Sequence, residues 1–373
     1  MEDPCNLLQI IPPYAQNNFE NPISSEWDAI RHAAETAGGS LGLESYKHVK
    51  KLQTGAFGSV QVVQLNGSKF QFALKQVNIC SSSQTTWAED APGKENADIK
   101  VNPQLVQRAA QELKVLEKAF ACPYVITAYD AFLSPCRSCF NIVSELCRED
   151  MCDLLSQLKP GRLPEDLVRI YAAEVLLALE ELHRLGFVYR DLKLENVLIR
   201  DNKHIVLSDF DLSLDWNPKV TEEGKKTGEN NKMFGTMDYL APEVIQGAPH
   251  GPTADFWAFG VLIYEMLYGS RPFAAWSQER TFYNITTRHI ELPETPTVSD
   301  EAQSLLRGLF KRCGPGPVTN VSARLGWGPS GAQNIREHEF FESIDFDALD
   351  AVDVASMYEQ LPRKPKASTQ ATT

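Results

Sequence analysis

Tyr189-Arg190-Asp191-Leu192-Lys193-Leu194-Glu195-Asn196, with Asp209-Phe210-Asp211 a short way downstream, sets two carboxylates, a lysine and an asparagine at a spacing suited to metal-assisted phosphoryl transfer. Asp191 can orient a hydroxyl and accept its proton. Lys193 can stabilise charge on a γ-phosphate. Asn196 and Asp209 can hold Mg²⁺. The bland alternative is a solvated charged loop, and the motifs upstream weigh against it.

Those motifs begin with Gln53-Thr54-Gly55-Ala56-Phe57-Gly58-Ser59-Val60, whose glycines let backbone N–H groups come close to phosphates. By itself this is an ordinary glycine-containing hairpin. Phe72-Ala73-Leu74-Lys75 follows on a strand, and Lys75 can pair with α- and β-phosphates if a helix carboxylate steadies it. Glu112 is the candidate for that carboxylate. Taken singly, Lys75 and Glu112 read as surface charges; in this order, ahead of Asp191, they read as a pair. Val60, Ala73 and Leu198 are candidates to sandwich an adenine. Glu145 to Cys147 is the candidate hinge for its edge, behind a small Ser144. Asp153 is a candidate for a ribose hydroxyl, with a helix N-cap role the alternative.

Hydrophobic periodicity sets the surroundings. Strands are expected at Val49–Thr54, Ser59–Leu65 and Phe70–Val77, with Asn66-Gly67 turning the second hairpin. A helix from about Pro103 to Phe120 and strands near Ala128–Leu133 and Phe140–Glu145 complete this part. Beyond Cys147 the pattern is helical, notably at Pro164–Leu185, Asp255–Tyr268 and Asp300–Cys313. Residues 1–45 form an extension with a candidate helix at Ser25–Ala37, and 80–103 is a polar insert. Residues 342–373 are a polar tail, docked or disordered.

The 373 residues give enough length for two lobes, and 43% hydrophobic content supports a sizeable core. A net charge of −13 argues against nucleic acid and favours cationic partners. No run is long enough to span a membrane, and the N-terminus does not read as a signal peptide. The eight cysteines are scattered; Cys136-Arg137-Ser138-Cys139 is a lone pair without the second pair zinc requires. Reduced thiols point to a cytoplasmic setting, with the nucleus the other option.

Over residues 46–341 the chain resembles eukaryotic protein kinases. The bilobal α+β fold this implies has a β-rich N-lobe (46–147) with one main helix and a larger helical C-lobe (148–341). Within them it resembles the AGC group (cyclic-nucleotide-dependent and C-type kinases). Tyr189, where most kinases have His, is one such feature. Ala323-Arg324-Leu325-Gly326, followed by Gly331, Ile335, His338 and Phe340-Phe341, is another. Leu207-Ser208-Asp209-Phe210-Asp211-Leu212-Ser213, with Trp27 and Leu41-Gly42-Leu43, resembles the phototropin-like plant and algal branch, here with no recognisable light-sensing domain.

The resemblance implies a monomeric serine/threonine kinase using ATP and Mg²⁺ on protein substrates, with an upstream activator as a further partner. It implies an activation segment over 209–243, ending in Gly235–Glu243. Glu243 is expected to pair with Arg324, and Asp255 to brace the catalytic loop. Leu116, Phe210 and Tyr189 are expected in a regulatory stack. Glu195 and Glu265 match acidic positions that take substrate arginines, so basic sites are expected; for Glu265 a structural ion pair is the alternative.

Three residues depart from the pattern. Gln53 replaces the first loop glycine. Asp211 replaces a glycine and its φ > 0 freedom. Lys232 stands where many AGC kinases carry a phosphorylatable threonine, leaving Thr221, Thr227 or Glu229 as substitutes. A pseudokinase scaffold that binds nucleotide and partners is therefore the competing function. The retention of Lys75, Glu112, Asp191, Asn196 and Asp209 favours the enzyme. The tail also lacks the paired-Phe motif that many AGC kinases tuck into their small lobe.

Overall fold

A computed structural model describes residues 42–55, 58–80, 101–134, 139–216, 235–312 and 322–364. The expected helix at Ser25–Ala37, residues 81–100 of the insert, Ala56, Phe57, Cys136, Thr221, Thr227, Glu229 and Lys232 lie outside them. The chain divides into two compact units, Met1–Cys147 and Arg148–Thr373.

In the first unit, strands β1 (Tyr46–Gly55), β2 (Gly58–Leu65), β3 (Gln71–Asn78), β4 (Ala128–Leu133) and β5 (Cys139–Ser144) form an antiparallel sheet in the order β1-β2-β3-β5-β4. Alternation along β3 buries Phe72 and Leu74 on one face, where they join Leu43, Tyr46, Val63, Leu65 and Val143. Each such side chain contributes about 1.5–3 kcal/mol by leaving water. The second hairpin turns where expected, but its loop runs to Phe70: Leu65 N–H donates to Phe70 O (3.2 Å), and Gly67 takes φ 77°.

Helix α1 (Pro103–Lys118) starts on Asn102, whose side chain accepts from Gln104 N–H, with Pro103 in the first turn. Cys80 and Val101 pair as an antiparallel bridge, and Asn102 N–H donates to Ile79 O (2.8 Å). The ends of the expected insert are thus regular structure, because Asn102 and Pro103 are needed to start the helix.

The second unit opens with β6 (Glu149–Asp150), α2 (Met151–Gln157) and the long α3 (Glu165–Arg184). β7 (Phe187–Val188), β8 (Val197–Ile199), β9 (Ile205–Leu207) and β10 (Leu214–Asp215) follow. They form two small sheets, β6-β8-β9 and β10-β7. Then come α4 (Pro242–Ile245), α5 (Pro252–Tyr268), α6 (Gln278–Thr287), α7 (Asp300–Leu309), α8 (Ala332–Arg336) and α9 (Val354–Glu359). Helix α5 is buried on nearly all sides from Ala254 to Leu267, so it is the centre of this unit rather than a surface helix. Its Trp257 stacks on Phe273 at 5.4 Å, and the guanidinium groups of Arg312 and Arg324 approach its ring at 5.5 and 5.1 Å. The tail docks on this unit at least as far as Lys364.

Candidate active site

The sheet of the first unit gathers one set of candidates on a single face. In β2–β3 Val60 pairs with Lys75, and in β3–β5 Ala73 pairs with Ser144. Lys75 and Ala73 are two residues apart and so point the same way, opposite to Phe72 and Leu74. From α1, Glu112 meets Lys75 bidentately, with Nζ 2.6 and 2.7 Å from its two carboxylate oxygens. The Glu112 side chain is 4% exposed and that of Lys75 27%, so the carboxylate that holds the lysine is buried while the lysine side chain is only partly so.

Gln53, Thr54, Gly55 and Gly58 lie on the β1–β2 hairpin, with Gly55 opposite Gly58. Gly58 is fixed by packing: a Cβ there would sit 1.9 Å from Gln76 O. Glu145 N–H donates to Thr127 O (3.0 Å) and its carboxylate accepts from Thr127 N–H (2.9 Å), so this residue is clamped at both ends. Cys147 is half-buried.

The second unit holds the catalytic-loop candidates. Asp191 is 5% exposed. Its Oδ2 accepts from Lys193 Nζ (2.6 Å) and Asn196 Nδ2 (3.1 Å), and its Oδ1 from the Thr236 backbone N–H and hydroxyl (both 3.1 Å). Thr236 reaches it because Gly235, at φ 105°, packs where a Cβ would lie 2.5 Å from Arg190 O. Sequence reading placed Thr236 only in a segment; the Gly-Thr pair was the signal for its contact.

The loop backbone is held from α5. Asp255 accepts from the Tyr189 and Arg190 N–H groups, each at 2.8 Å, as expected. A second partner of Asp255, His183 at 2.7 Å, was not foreseen. Arg190 and Asp209 both adopt left-handed φ, 69° and 61°. Asp211 is not among the positive-φ residues, so the position is open to a side chain that only a left-handed backbone would disfavour. The Tyr189 hydroxyl donates to Ser208 O (2.5 Å), and its ring lies 5.4 Å from that of Phe210. Burial, then the Asp191 and Asp209 charges, holds that hydroxyl well above its usual pKa, so it stays a donor.

For Asp153 the structure bears on the N-cap alternative and removes it. The N-cap of α2 is Asp150, whose carboxylate accepts from Asp153 N–H (2.8 Å); Asp153 lies in the first turn. Asp150 pairs with Leu198 across β6–β8 and so stands beside one adenine candidate. Burial lifts its carboxyl to about 6, with the Asp153 and Glu195 charges adding to the shift. Cys152, pushed up to about 11 by burial and then Glu195 and Asp150, feels the same negative field. Sequence reading missed Asp150 because a two-residue strand precedes the helix without any periodicity to mark it. Glu265 accepts from the Tyr239 hydroxyl and lies 3.7 Å from Arg271 Nε, so it has structural partners, and burial raises its pKa. Glu195 is exposed.

Comparison with known proteins agrees with this geometry. A protein kinase domain model matches residues 46–341. Phototropin-2 of Oryza sativa subsp. japonica is 33% identical over 358 residues, covering 90% of this chain and 36% of that protein. Protein kinase PVPK-1 of Phaseolus vulgaris is 32% identical over 390 residues, and serine/threonine-protein kinase AGC1-5 of Arabidopsis thaliana 32% over 378. In both cases 86% of this chain is covered, with 59% of PVPK-1 and 60% of AGC1-5. The chain thus spans between about a third and three fifths of these relatives. A β-sheet unit bearing a Lys–Glu pair, a helical unit bearing the Asp191 loop and the matched model converge on one assignment: the chain, whose relatives include plant kinases of the AGC type, belongs to the protein kinase domain family.

Proposed function

We propose that the chain is a serine/threonine protein kinase that uses ATP and Mg²⁺ and prefers hydroxyls close to basic residues. The observation that carries this is the ordered Asp191 carboxylate, with Lys193, Asn196 and Thr236 all directed at it. In this reading Asp191 accepts the proton of the acceptor hydroxyl, and Lys193 bears the charge that builds on the transferred phosphate. Lys75, steadied by Glu112, binds the α- and β-phosphates. Thr236 fixes the rotamer of Asp191 and lines it up with the incoming hydroxyl.

The residues fit a hard divalent cation. The Asn196 amide nitrogen is spent on Asp191 O (2.8 Å) and Oδ2, which turns the amide oxygen toward ligand duty. With Asp209 it makes an oxygen donor set. When bound, Mg²⁺ would neutralise the phosphate oxygens. Asp150, Asp153 and Glu195 supply negative charge for a substrate guanidinium, and Glu265 would have to share its carboxylate with Tyr239 and Arg271.

The test is γ-phosphate transfer to a serine peptide with arginines two and three residues upstream, comparing wild type with Asp191→Asn. Transfer that falls by about 10²–10⁴-fold in the variant, with ATP affinity kept, supports the reading. Wild-type protein that binds ATP yet transfers nothing selects the pseudokinase scaffold.

A further inference from the structure

The tail segment from Val354 to Lys364 grips α2 at both of its ends. At the C-terminal end, Arg363 pairs with Leu158 as an antiparallel bridge, Lys159 N–H donates to Pro362 O (2.8 Å) and Lys364 N–H to Gln157 O (2.7 Å). Lys364 Nζ also donates to Ser156 O (2.7 Å) and Arg363 Nη1 to Gln157 Oε1 (2.7 Å). These contacts satisfy carbonyls that a helix C-terminus leaves open and put cations at its negative end.

At the N-terminal end, Tyr358 is fully buried, and its hydroxyl donates to Glu149 Oε1. Lys203 Nζ and the Arg363 guanidinium lie over its ring at 5.2 and 4.9 Å. Glu149 is in turn held by Gln157 Nε2 (2.6 Å), itself a residue of α2. Glu149 is the neighbour of Asp150, and the two residues make up β6. The backbone and side-chain hydrogen bonds of the tail therefore converge on the strand that carries the Asp150 carboxylate and on the helix that this carboxylate caps.

We propose that the tail is a positioning element for Asp150, with the Tyr358 hydroxyl acting through Glu149. This rests on the kinase reading above, in which Asp150 faces a cationic substrate side chain. Asp150 shares its surroundings with Asp153 and Glu195, a field complementary to a guanidinium. The tail then sets affinity for the arginine-bearing peptide while leaving the transfer step alone. Tyr358 is a positioning residue: it acts on substrate through Glu149.

The experiment uses the full chain with Tyr358→Phe, Glu149→Gln and the double variant, and the same arginine-containing serine peptide. Peptide KM is expected to rise roughly three- to tenfold in each single variant, with kcat and ATP KM unchanged and the double no worse than either single. Amide hydrogen exchange across residues 149–158 is expected to quicken in step, with the thermal midpoint near that of wild type. Unchanged peptide KM overturns the proposal, as does a fall in kcat at constant KM or additive effects in the double variant. Should Tyr358→Phe fail to fold, Glu149→Gln carries the same comparison. Should wild type transfer no phosphate, the kinase reading fails by itself; calorimetric peptide affinity and exchange at 149–158 then decide the tail's role, and wild-type values in Tyr358→Phe overturn it.

Discussion

Asp150 couples two jobs, capping α2 and holding a negative charge, and they separate on substitution. Asparagine caps as well as aspartate, so Asp150→Asn keeps the helix start and removes the charge alone. The carboxyl titrates at about 6, above the ordinary range, because burial disfavours its ionised form. As pH rises through that value the site becomes more negative. Peptide KM is therefore expected to fall by roughly tenfold between about pH 5 and pH 7, and this dependence is expected to flatten in Asp150→Asn. KM measured against pH for both proteins, with a peptide whose arginines stay charged throughout, checks it. Residues of this kind mark where sequence reading stops. Asp191, Lys193 and Asn196 announce themselves by fixed spacing along one loop, and Asp209 by its Asp-Phe-Asp run just past β9. Asp150 and Asp153 are both acidic residues near a helix start, and only the backbone hydrogen bond between them tells cap from first turn.

At the scale of elements, α5 governs the catalytic loop through a single side chain. Asp255 accepts two adjacent backbone N–H groups and faces His183, all at 2.7–2.8 Å, while Arg190 sits in a left-handed conformation costing about 1–3 kcal/mol. Asp255→Asn would set an amide NH₂ against donors. An expected loss on the order of 2–4 kcal/mol in urea unfolding, with kcat reduced more than ATP affinity, checks the bracing role. The elements themselves were largely readable, because apolar period and breakers define them: β4 matches its expected span, and α3 and α5 differ at their ends alone. What escaped reading was polar and internal. Gln61, Gln76 and Asn141 are 0–7% exposed, and Gln76 Nε2 donates to Asn141 Oδ1 at 3.2 Å across β3–β5. An amide on a strand reads as solvent-facing until the partner strand brings another amide opposite it.

At the scale of the whole molecule, the larger unit is closed by an ion pair joining residues far apart in sequence. Arg324 and Glu243 meet bidentately at 2.5 and 2.9 Å with both side chains almost completely buried, and Arg324 Nη1 also donates to Thr253 O. Removing one partner strands a buried charge, so Glu243→Gln is expected to destabilise by about 3–5 kcal/mol; replacing both partners should cost less than the sum. Denaturant titration of the single and double variants checks this coupling. The pair itself was foreseen through family resemblance. The enclosure of Arg324 by Trp257 was not, since it depends on the packing of α5 against the segment after α7.

Trp257 has an optical consequence. All four tryptophans among the described residues (Trp216, Trp257, Trp276 and Trp327) belong to the unit from Arg148 onward; Trp257 is 0% exposed and Trp276 90%. With Trp27 and Trp87 replaced by phenylalanine, indole emission becomes a gauge of that unit alone. Acrylamide would quench the Trp276 population first, and the red shift on melting would come chiefly from Trp257 leaving its guanidinium neighbours. The sheet unit would unfold dark in this channel, so indole emission set against a signal to which both units contribute would time the two separately.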